Sequence, residues 1–298
     1  ITVLKKRTAK VLLEQVPQEI KTILLHYVGY GYAKRGYPRW LIEGLQHWKR
    51  DRAQAHLVTM FHEVRATDNR PWKSVFWLSR WQKSLAERLA RLSDACITSL
   101  QVNANLLGNS IAGRTITVLP VCSNVGEPEK IPPLAERSRR LVIFGSYGRR
   151  MAIYQKSKML LAKVAQELSI KEIIDIGPSE GLPVYTINGV PVIEMGKQPS
   201  SEISRLLLDA VAGMIDYPAK ILGKSGIFAA YCAHGLIPIV VGTTAPSEAI
   251  DGLEAGKHYW FPENKSQPLD LEKGQMITQA SYCWYHSHNC STHARVVA

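Results

Sequence analysis

The chain has 298 residues, enough for two α/β domains that each bury a core of their own. Hydrophobic residues make up 46% of the chain and charged residues 21%, a composition that excludes an intrinsically disordered protein. The net charge of +12 is unevenly divided, because residues 1–150 hold 25 Lys and Arg against 11 Asp and Glu, whereas residues 151–298 hold 12 against 14. A basic first half indicates an anionic partner: a nucleic acid, an acidic substrate or an anionic membrane surface.

The start of the sequence and its cysteines bear on the compartment. Ile1 is not an initiating Met, and the residues after it lack the pattern of a secretory signal, so we expect the sequence to begin within a longer protein whose first strands are missing. The apolar runs are far shorter than the roughly 20 residues that cross a bilayer. Five widely spread cysteines favour a reducing compartment over a disulfide framework. We therefore expect a cytoplasmic protein.

Strand and helix patterns alternate in the first half of the chain. The first apolar run ends at a glycine loop, Gly29-Tyr30-Gly31, and the second ends at His62-Glu63. Between Trp72 and Leu92, apolar and basic residues recur at helical spacing, which predicts a basic amphipathic helix. Strands are predicted at Thr22–Val28, His56–Phe61, Ala95–Ser99 and Thr115–Leu119, and a further helix at Trp40–Lys49.

The pattern restarts after a segment rich in proline and charge, Pro128–Arg140. Strands are predicted at Arg140–Phe144, Glu172–Ile176, Val190–Glu194 and Ile237–Val241, with helices up to Leu168, at Ser200–Ala212 and at Ile227–Ala233. Such alternation predicts two parallel sheets covered by helices. We divide the chain into a first domain (residues 1–127), a linker (128–139), a second domain (140–270) and a tail (271–298) that packs back on the first domain.

Two basic loops are candidates for diphosphate binding. Gly145 begins a loop that leads through Arg149 and Arg150 into a helix, with Lys156 about two turns further on. Backbone N–H groups of such a loop can approach a diphosphate while a cation neutralises its charge, although a plain tight turn has the same pattern. The second candidate is Lys224, followed by Ser225 and Gly226 at the start of a helical segment.

Two histidine patterns allow alternative interpretations. His62 follows an apolar strand and could orient or deprotonate a hydroxyl, but a lone histidine is more often structural. The tail holds five possible zinc ligands, but their spacing does not place them on one face of a helix or strand, so we expect no metal. These five are Cys283, His286, His288, Cys290 and His293.

Together these segments resemble bacterial glycosyltransferases of family 4, in an atypical branch. His62, in Met60-Phe61-His62-Glu63, resembles the family's histidine on the acceptor side. The segment Leu119–Asn124 is similar to the end of the family's first domain, and Val142–Gly145 followed by Arg149 is similar to the start of its second. Residues 224–241 resemble the donor-site helix and the strand after it. The resemblance implies the GT-B fold, two Rossmann-like domains that face a cleft.

One feature of the family is missing. Its donor-site segment usually holds two glutamates with seven residues between them, and alignment on Gly235 puts Leu222 and Ala230 at their positions. Lys224 and Ser225 could take over their part, the donor could be bound differently, or the activity could be lost. The resemblance also implies a longer first domain than this sequence contains.

The sequence therefore predicts a glycosyltransferase that moves a sugar from a nucleoside-diphosphate sugar to an acceptor hydroxyl of a polysaccharide or a lipid-linked glycan. The resemblance implies retention of anomeric configuration. Donor contacts are expected from Gly145, Arg149, Arg150, Lys156, Lys224, Ser225 and Gly226, and acceptor-side contacts from Gly29, Tyr30, Gly31, His62 and Glu63. His62, Arg149 and Lys224 are the expected catalytic residues, without a metal or other cofactor.

Alternatives remain at this point. The missing glutamates motivate a degenerate protein that binds a nucleotide without catalysis, and a nucleotide-sugar epimerase could use the same scaffold. The basic first domain suggests an enzyme of cell-envelope polysaccharide synthesis, peripheral on the inner face of the membrane. Nucleic-acid binding ranks last, because no recognisable module accompanies the charge.

Overall fold

The computed structural model describes residues 4, 6–65, 74–109, 111, 113–178, 181, 185–242, 246, 248–262 and 268–297, with the backbone alone at 74–77. Contacts divide the chain into two compact units. Unit 1 runs to Pro120 and includes Val297, and unit 2 runs from Val121 to Val296. Within the described residues, no helix has the length and apolarity that a membrane span requires.

Unit 1 is built on four parallel strands that lie side by side in chain order. The strands are β1 (Thr22–Tyr27), β2 (His56–Phe61), β3 (Ala95–Thr98) and β4 (Ile116–Val118). The helices are α1 (Ala9–Gln15), α2 (Gly29–Tyr32), α3 (Arg39–Arg50), α4 (Ser74–Leu92) and α5 (Gln101–Gly108). The prediction that the helix before Leu92 begins at Trp72 falls on a residue outside the described ranges.

The core of unit 1 lies between this sheet and α3, α4 and α5. Ile42 and Trp48 on α3 and Leu89 on α4 are fully buried against Leu57 and Phe61 of β2. Apolar residues at helical spacing on the helices and at alternate positions on the strands produce this packing. A smaller cluster on other residues of the sheet contains Val58, Met60, Ile97 and Leu119, with Val297 packed beside it.

Unit 2 contains a larger sheet with the strand order β10-β9-β5-β6-β8-β7. The strands are β5 (Ser138–Phe144), β6 (Glu172–Ile176), β7 (Thr186–Ile187), β8 (Val190–Gly196), β9 (Ala210–Asp216) and β10 (Ile237–Val241). The helices are α6 (Tyr147–Lys156), α7 (Lys158–Glu167), α8 (Ser200–Asp209), α9 (Gly226–Ala233), α10 (Leu271–His286) and α11 (Cys290–Val297). All pairs are parallel except β7 with β8.

The strand order fixes where a ligand is expected in unit 2. After β5 the chain adds β6 and β8 on one side and then returns to add β9 and β10 on the other side. Adjacent loops at the carboxyl ends of β5 and β9 therefore leave toward opposite faces of the sheet. Open parallel sheets bind ligands in the crevice at such a reversal. The predicted α/β class with parallel sheets is confirmed.

Strand β9 was not predicted from the sequence. The predicted helix Ser200–Ala212 ends at Asp209 instead, and β9 starts at the next residue. The strand is rich in Ala and Gly, which favour strands poorly. Gly213 is needed there, because a Cβ atom would lie 2.7 Å from the ring of Tyr231, which packs on the strand from α9.

The segment predicted as a linker (residues 128–139) packs into unit 2. Leu134 is buried, and the guanidinium of Arg137 donates to the carbonyl oxygens of Pro132 and Ala210. Tail helix α10 packs against α9 and β10.

Candidate functional site

Two glycine loops meet at the carboxyl edge of the unit 2 sheet. The N–H of Gly145, after β5, donates to the carbonyl oxygen of Ile176 at the end of β6 (3.0 Å). A Cβ atom on Gly177 would overlap the carbonyl oxygen of Gly145. Gly145 and Gly177 have φ values of +140° and +149°, a region that side chains disfavour. The loops therefore pack backbone against backbone, which only glycine permits.

The start of α9 lies beside the Gly145 loop. A Cβ atom on Gly145 would be 2.7 Å from Cδ1 of Ile227, in the first turn of α9. Ser225 caps this helix, since its hydroxyl accepts from the N–H of Phe228 (3.1 Å). Gly226 is the first helical residue, and Lys224, half-buried, ends the 3₁₀ segment just before it. The structure thus brings together the two basic loops that the sequence suggested separately.

Arg149 reaches across the strand reversal. Its Nη1 lies 3.3 Å from Oδ1 of Asp216 and 3.3 Å from the Asp216 carbonyl oxygen, at the end of β9. The guanidinium also stacks over the ring of Tyr217, 5.1 Å from its centroid. The Arg149 side chain is 48% exposed, so it can meet a ligand. Asp216 and Tyr217 were missed by the sequence analysis because β9 was missed.

Arg150 has a different position from the one predicted. Its side chain is buried in an ion pair with Asp175 and donates to the carbonyl oxygens of Gly145 and Pro178. Tyr154 completes this cluster by donating to Asp175 Oδ2 (2.8 Å), and burial raises the pKa of its phenol. The guanidinium of Arg150 faces the interior because Asp175 is buried on β6. We therefore assign Arg150 to holding the loops, not to donor contact.

Lys156 lies at the far end of its helix from the glycine loop. It is the last residue of α6, whose first residue follows the loop, and nine residues of helix span about 13 Å. A donor contact of Lys156 would have to bridge this length of helix, and it stays a prediction. Helical periodicity places a residue on a face of a helix, but the end of the helix it occupies depends on where the helix begins.

In unit 1, the predicted glycine loop forms the short helix α2 directly after β1. A Cβ atom on Gly29 would lie 2.7 Å from the carbonyl oxygen of Gly36, so glycine permits the loop to close. The Tyr30 hydroxyl accepts from Gln82 Nε2 (3.1 Å). Gly31 has more room, since a Cβ atom there would lie 3.8 Å from its nearest neighbour, the Cβ atom of Val28.

His62 lies at the end of β2, and a second histidine lies against it. His62 Nε2 is 3.0 Å from His26 Nδ1, and the two rings stack with their centroids 5.3 Å apart. His26 belongs to β1 and is exposed. His26 was not among the predicted site residues, although its place near the end of a strand beside β2 was a usable signal. Glu63 follows and is exposed.

A cavity of about 860 Å³ in unit 2 lies away from these loops. It is lined by Glu129, by residues 131–135, by Gly235 and by α10. Because Leu134 precedes β5 and Gly235 precedes β10, the cavity lies at the amino edge of the sheet, opposite the glycine loops. Ligands of parallel sheets bind at the carboxyl edge, so we place the functional site at the loops.

The described residues contain no group of three or more His, Cys, Asp or Glu side chains arranged to hold a metal ion. Two cationic side chains lie near the carboxyl edge of the unit 2 sheet. Arg149, together with Lys224 just before the start of α9, can neutralise a diphosphate, and backbone N–H groups can donate to it.

The sequence matches no protein-family model and no curated protein. Among solved structures, it is similar to an alpha-glucosyltransferase in complex with UDP-glucose and DNA containing an abasic site, with a TM-score of 0.57, 11% identity, and coverage of 99% of this chain and 84% of that one. It is also similar to TarM, with a TM-score of 0.55, 9% identity, and coverage of 97% of this chain and 57% of that one. A third similar structure is the pneumococcal O-GlcNAc transferase GtfA in complex with UDP and GlcNAc, with a TM-score of 0.50, 13% identity, and coverage of 87% of this chain and 54% of that one. The chain thus spans little more than half of the latter two. These likenesses show a GT-B fold with two Rossmann-like domains.

Proposed function

We propose that the chain is a glycosyltransferase that uses a nucleoside-diphosphate sugar, as a member or close relative of family 4. The observation that carries the proposal is the position of Arg149, half-exposed at the reversal between β5 and β9, beside the Gly145 loop and the start of α9. Two of the three neighbours of this fold named above are transferases in complex with UDP or UDP-glucose, which supports a donor of this class.

In the proposed reaction, the bond between the anomeric carbon and the diphosphate oxygen breaks and the acceptor hydroxyl attacks the sugar. Negative charge develops on the departing diphosphate. Arg149 and Lys224 neutralise this charge, while N–H groups of the Gly145 loop and of the first turn of α9, from Gly226 onward, donate to the phosphate oxygens. Since protein cations do this work, we propose that no metal is needed. We also propose retention of configuration, which NMR of the product anomer tests.

The acceptor is assigned to unit 1, where His62 and the segment Gly29–Gly31 lie at strand ends. His62 would orient the acceptor hydroxyl and exchange its proton. The surface of α4 combines Trp81, which is 61% exposed, with basic residues such as Arg80 and Lys83. We propose that this face rests on an anionic membrane that carries a lipid-linked glycan acceptor. Flotation with anionic and with neutral liposomes tests this part, and equal binding to both contradicts it.

A turnover assay tests the proposed function. Release of the nucleoside diphosphate would be followed with UDP, GDP and ADP sugars, since hydrolysis by water reports donor activation without a known acceptor. One donor class is expected to react, and Arg149→Ala is expected to lower its rate about 100-fold, because charge stabilisation of a leaving group contributes that much. Arg205→Ala is the matched control, since Arg205 is exposed on α8 and pairs with Glu202.

A specific observation favours a second function, nucleotide binding without catalysis. Leu222 and Ala230, at the positions of the family's two glutamates, are both buried in the core of unit 2. The described site therefore lacks those two carboxylates. Binding of a nucleoside diphosphate by a protein that releases none from any sugar donor supports this second function and contradicts the first.

A further inference from the structure

The contact between His26 and His62 has a consequence for the acceptor side of the proposed reaction. Two ring nitrogens lie 3.0 Å apart, which is a hydrogen-bond distance, and the rings are inclined by only 18°. One nitrogen must carry the hydrogen and the other must accept it. If all four ring nitrogens were protonated, no acceptor would remain in the contact.

The backbone of the sheet places the two histidines side by side. β1 and β2 pair in parallel register, with His26 opposite Met60. The N–H of His62 donates to the carbonyl oxygen of Tyr27 (3.1 Å), which extends the pairing of the two strands to His62 itself. The hydroxyl of Tyr32 on α2 donates to the carbonyl oxygen of His26 (2.8 Å). Strand register therefore brings the two side chains close together.

The contact occupies a particular atom of His62. Because Nε2 faces His26, an exchange of a proton with an acceptor hydroxyl involves Nδ1 or requires the contact to break. The partner of one imidazole nitrogen also determines the tautomer, and thus whether the other nitrogen donates or accepts. Among the described residues, the titratable side chains close to the pair in sequence or structure include Glu63, after His62, and Tyr30 and Tyr32 on α2.

We propose that His26 is a positioning residue for His62: it fixes the ring orientation and the tautomer of His62 and thereby aims Nδ1 at the acceptor hydroxyl. This inference rests on the proposed function only for the part that concerns the acceptor. The hydrogen bond and the tautomer are properties of the protein alone and can be measured without substrate.

Two substitutions separate the hydrogen bond from the ring stack. His26→Phe keeps an aromatic ring against His62 but removes the hydrogen bond. His26→Asn places an amide near the position of Nδ1 and so retains a hydrogen-bonding group without a titrating ring. His47→Phe is the control for histidine loss, since His47 is exposed on α3. His26 is exposed, so these variants are expected to fold, and thermal unfolding checks that they do.

Nitrogen-15 NMR of protein labelled at its nine histidines gives the first readout. The shifts of the His62 nitrogens, assigned with His62→Gln, are expected to change in His26→Phe and to stay close to wild type in His26→Asn. The second readout is release of UDP from UDP-glucose, or the corresponding reaction of whichever donor class the turnover assay identifies. We expect kcat to fall about tenfold in His26→Phe with KM for the donor unchanged, and to recover in His26→Asn.

Unchanged His62 shifts in His26→Phe would overturn the proposal, as would altered shifts with unchanged kcat. Failure of the proposed function looks different: wild-type protein would then release no nucleoside diphosphate from any of the UDP, GDP and ADP sugars. In that case the nitrogen-15 chemical shifts of His62 still decide whether His26 fixes its tautomer. The proposal that His62 is aimed at an acceptor hydroxyl is then refuted.

Discussion

The two units share an architecture of parallel strands and helices but differ in net charge. Unit 1 (residues 1–120) holds 19 Lys and Arg against 8 Asp and Glu, a net charge of +11, whereas residues 121–298 hold 18 against 17, a net charge of +1. Yet the candidate diphosphate site, with Arg149, lies in the nearly neutral unit 2. Net charge therefore describes a surface and its long-range attraction, while a binding site depends on which cation the fold leaves exposed at a strand end.

Two adjacent arginines show the same point within unit 2. Arg149 is half-exposed, and Arg150 is buried with Asp175. In unit 1, by contrast, the ion pair of Lys49 and Asp94 is partly exposed (2.6 Å). Within the part of the chain that the structure describes, a fully buried ion pair therefore lies in unit 2, and its contribution to stability can be tested.

The largest expected effect comes from the buried ion pair. Arg150→Met leaves the Asp175 carboxylate buried without its cation, which is expected to cost about 3–5 kcal/mol in the free energy of unfolding of unit 2. Urea unfolding measures it. The double variant Arg150→Met/Asp175→Asn is expected to lose less than Arg150→Met alone, because no buried charge remains. Equal losses in the two variants would show that packing, not charge, holds the loops.

Acid is expected to destabilise unit 2 because folding keeps the buried side chain of His234 from taking up a proton. Burial lowers the pKa of His234 to about 4, and its ring contacts Ser204 Oγ (2.7 Å) and the Ala230 carbonyl oxygen (2.8 Å). The unfolded chain takes up this proton at higher pH than the folded chain, so stability is full above about pH 6.5 and falls toward pH 4, by roughly 3 kcal/mol. Urea unfolding of His234→Gln across this range should show a flatter pH dependence than wild type. The same pH dependence of the free energy of unfolding in wild type and His234→Gln would show that His234 is not the group responsible.

A smaller loss is expected where the glycine loops touch. Gly177→Ala places a Cβ atom against the carbonyl oxygen of Gly145 at a φ of +149°, which is expected to cost about 2 kcal/mol. Gly148→Ala is the control. Gly148 lies in α6 with open space around a Cβ atom, so this change is expected to stabilise by up to about 1 kcal/mol. A lower melting temperature for Gly177→Ala and a higher one for Gly148→Ala would confirm the backbone contact.

The smallest expected effect concerns the partner of Arg149. Asp216 competes with a phosphate for the guanidinium, and a half-exposed ion pair contributes about 0.2–1 kcal/mol. Asp216→Asn is therefore expected to tighten UDP binding by roughly 1.4- to fivefold. Isothermal titration calorimetry can measure this change in the dissociation constant of UDP. Weaker binding in Asp216→Asn would instead show that the carboxylate orients Arg149 for the ligand.

Apolar patterns predicted much of the fold. The strands His56–Phe61, Glu172–Ile176 and Ile237–Val241 have the predicted bounds, because β-branched and other apolar residues run through them. Strand β9 could not be predicted this way, since its Gly213 is selected by the ring of Tyr231, a contact distant in sequence. The helix α1, over Ala9–Gln15, was also missed.

The site was predictable only in part, for a related reason. The Gly145 loop and Arg149 were found from their local pattern. Their partners Asp216 and Tyr217 lie on the missed strand or directly after it, and the inward direction of Arg150 depends on Asp175 on β6. The pairing of His26 with His62 depends on strand register. Contacts made by residues far apart in the chain leave no local periodicity to detect.

The most direct test of the account is isothermal calorimetry of UDP, GDP and ADP with wild-type protein, Arg149→Ala and Arg205→Ala. Charged hydrogen bonds contribute about 1.5–3 kcal/mol, so one nucleotide is expected to bind wild type and Arg205→Ala alike and to bind Arg149→Ala at least about tenfold more weakly. Equal affinity of Arg149→Ala and wild type, or no binding of any nucleotide to wild type, would contradict a diphosphate site at the reversal between β5 and β9.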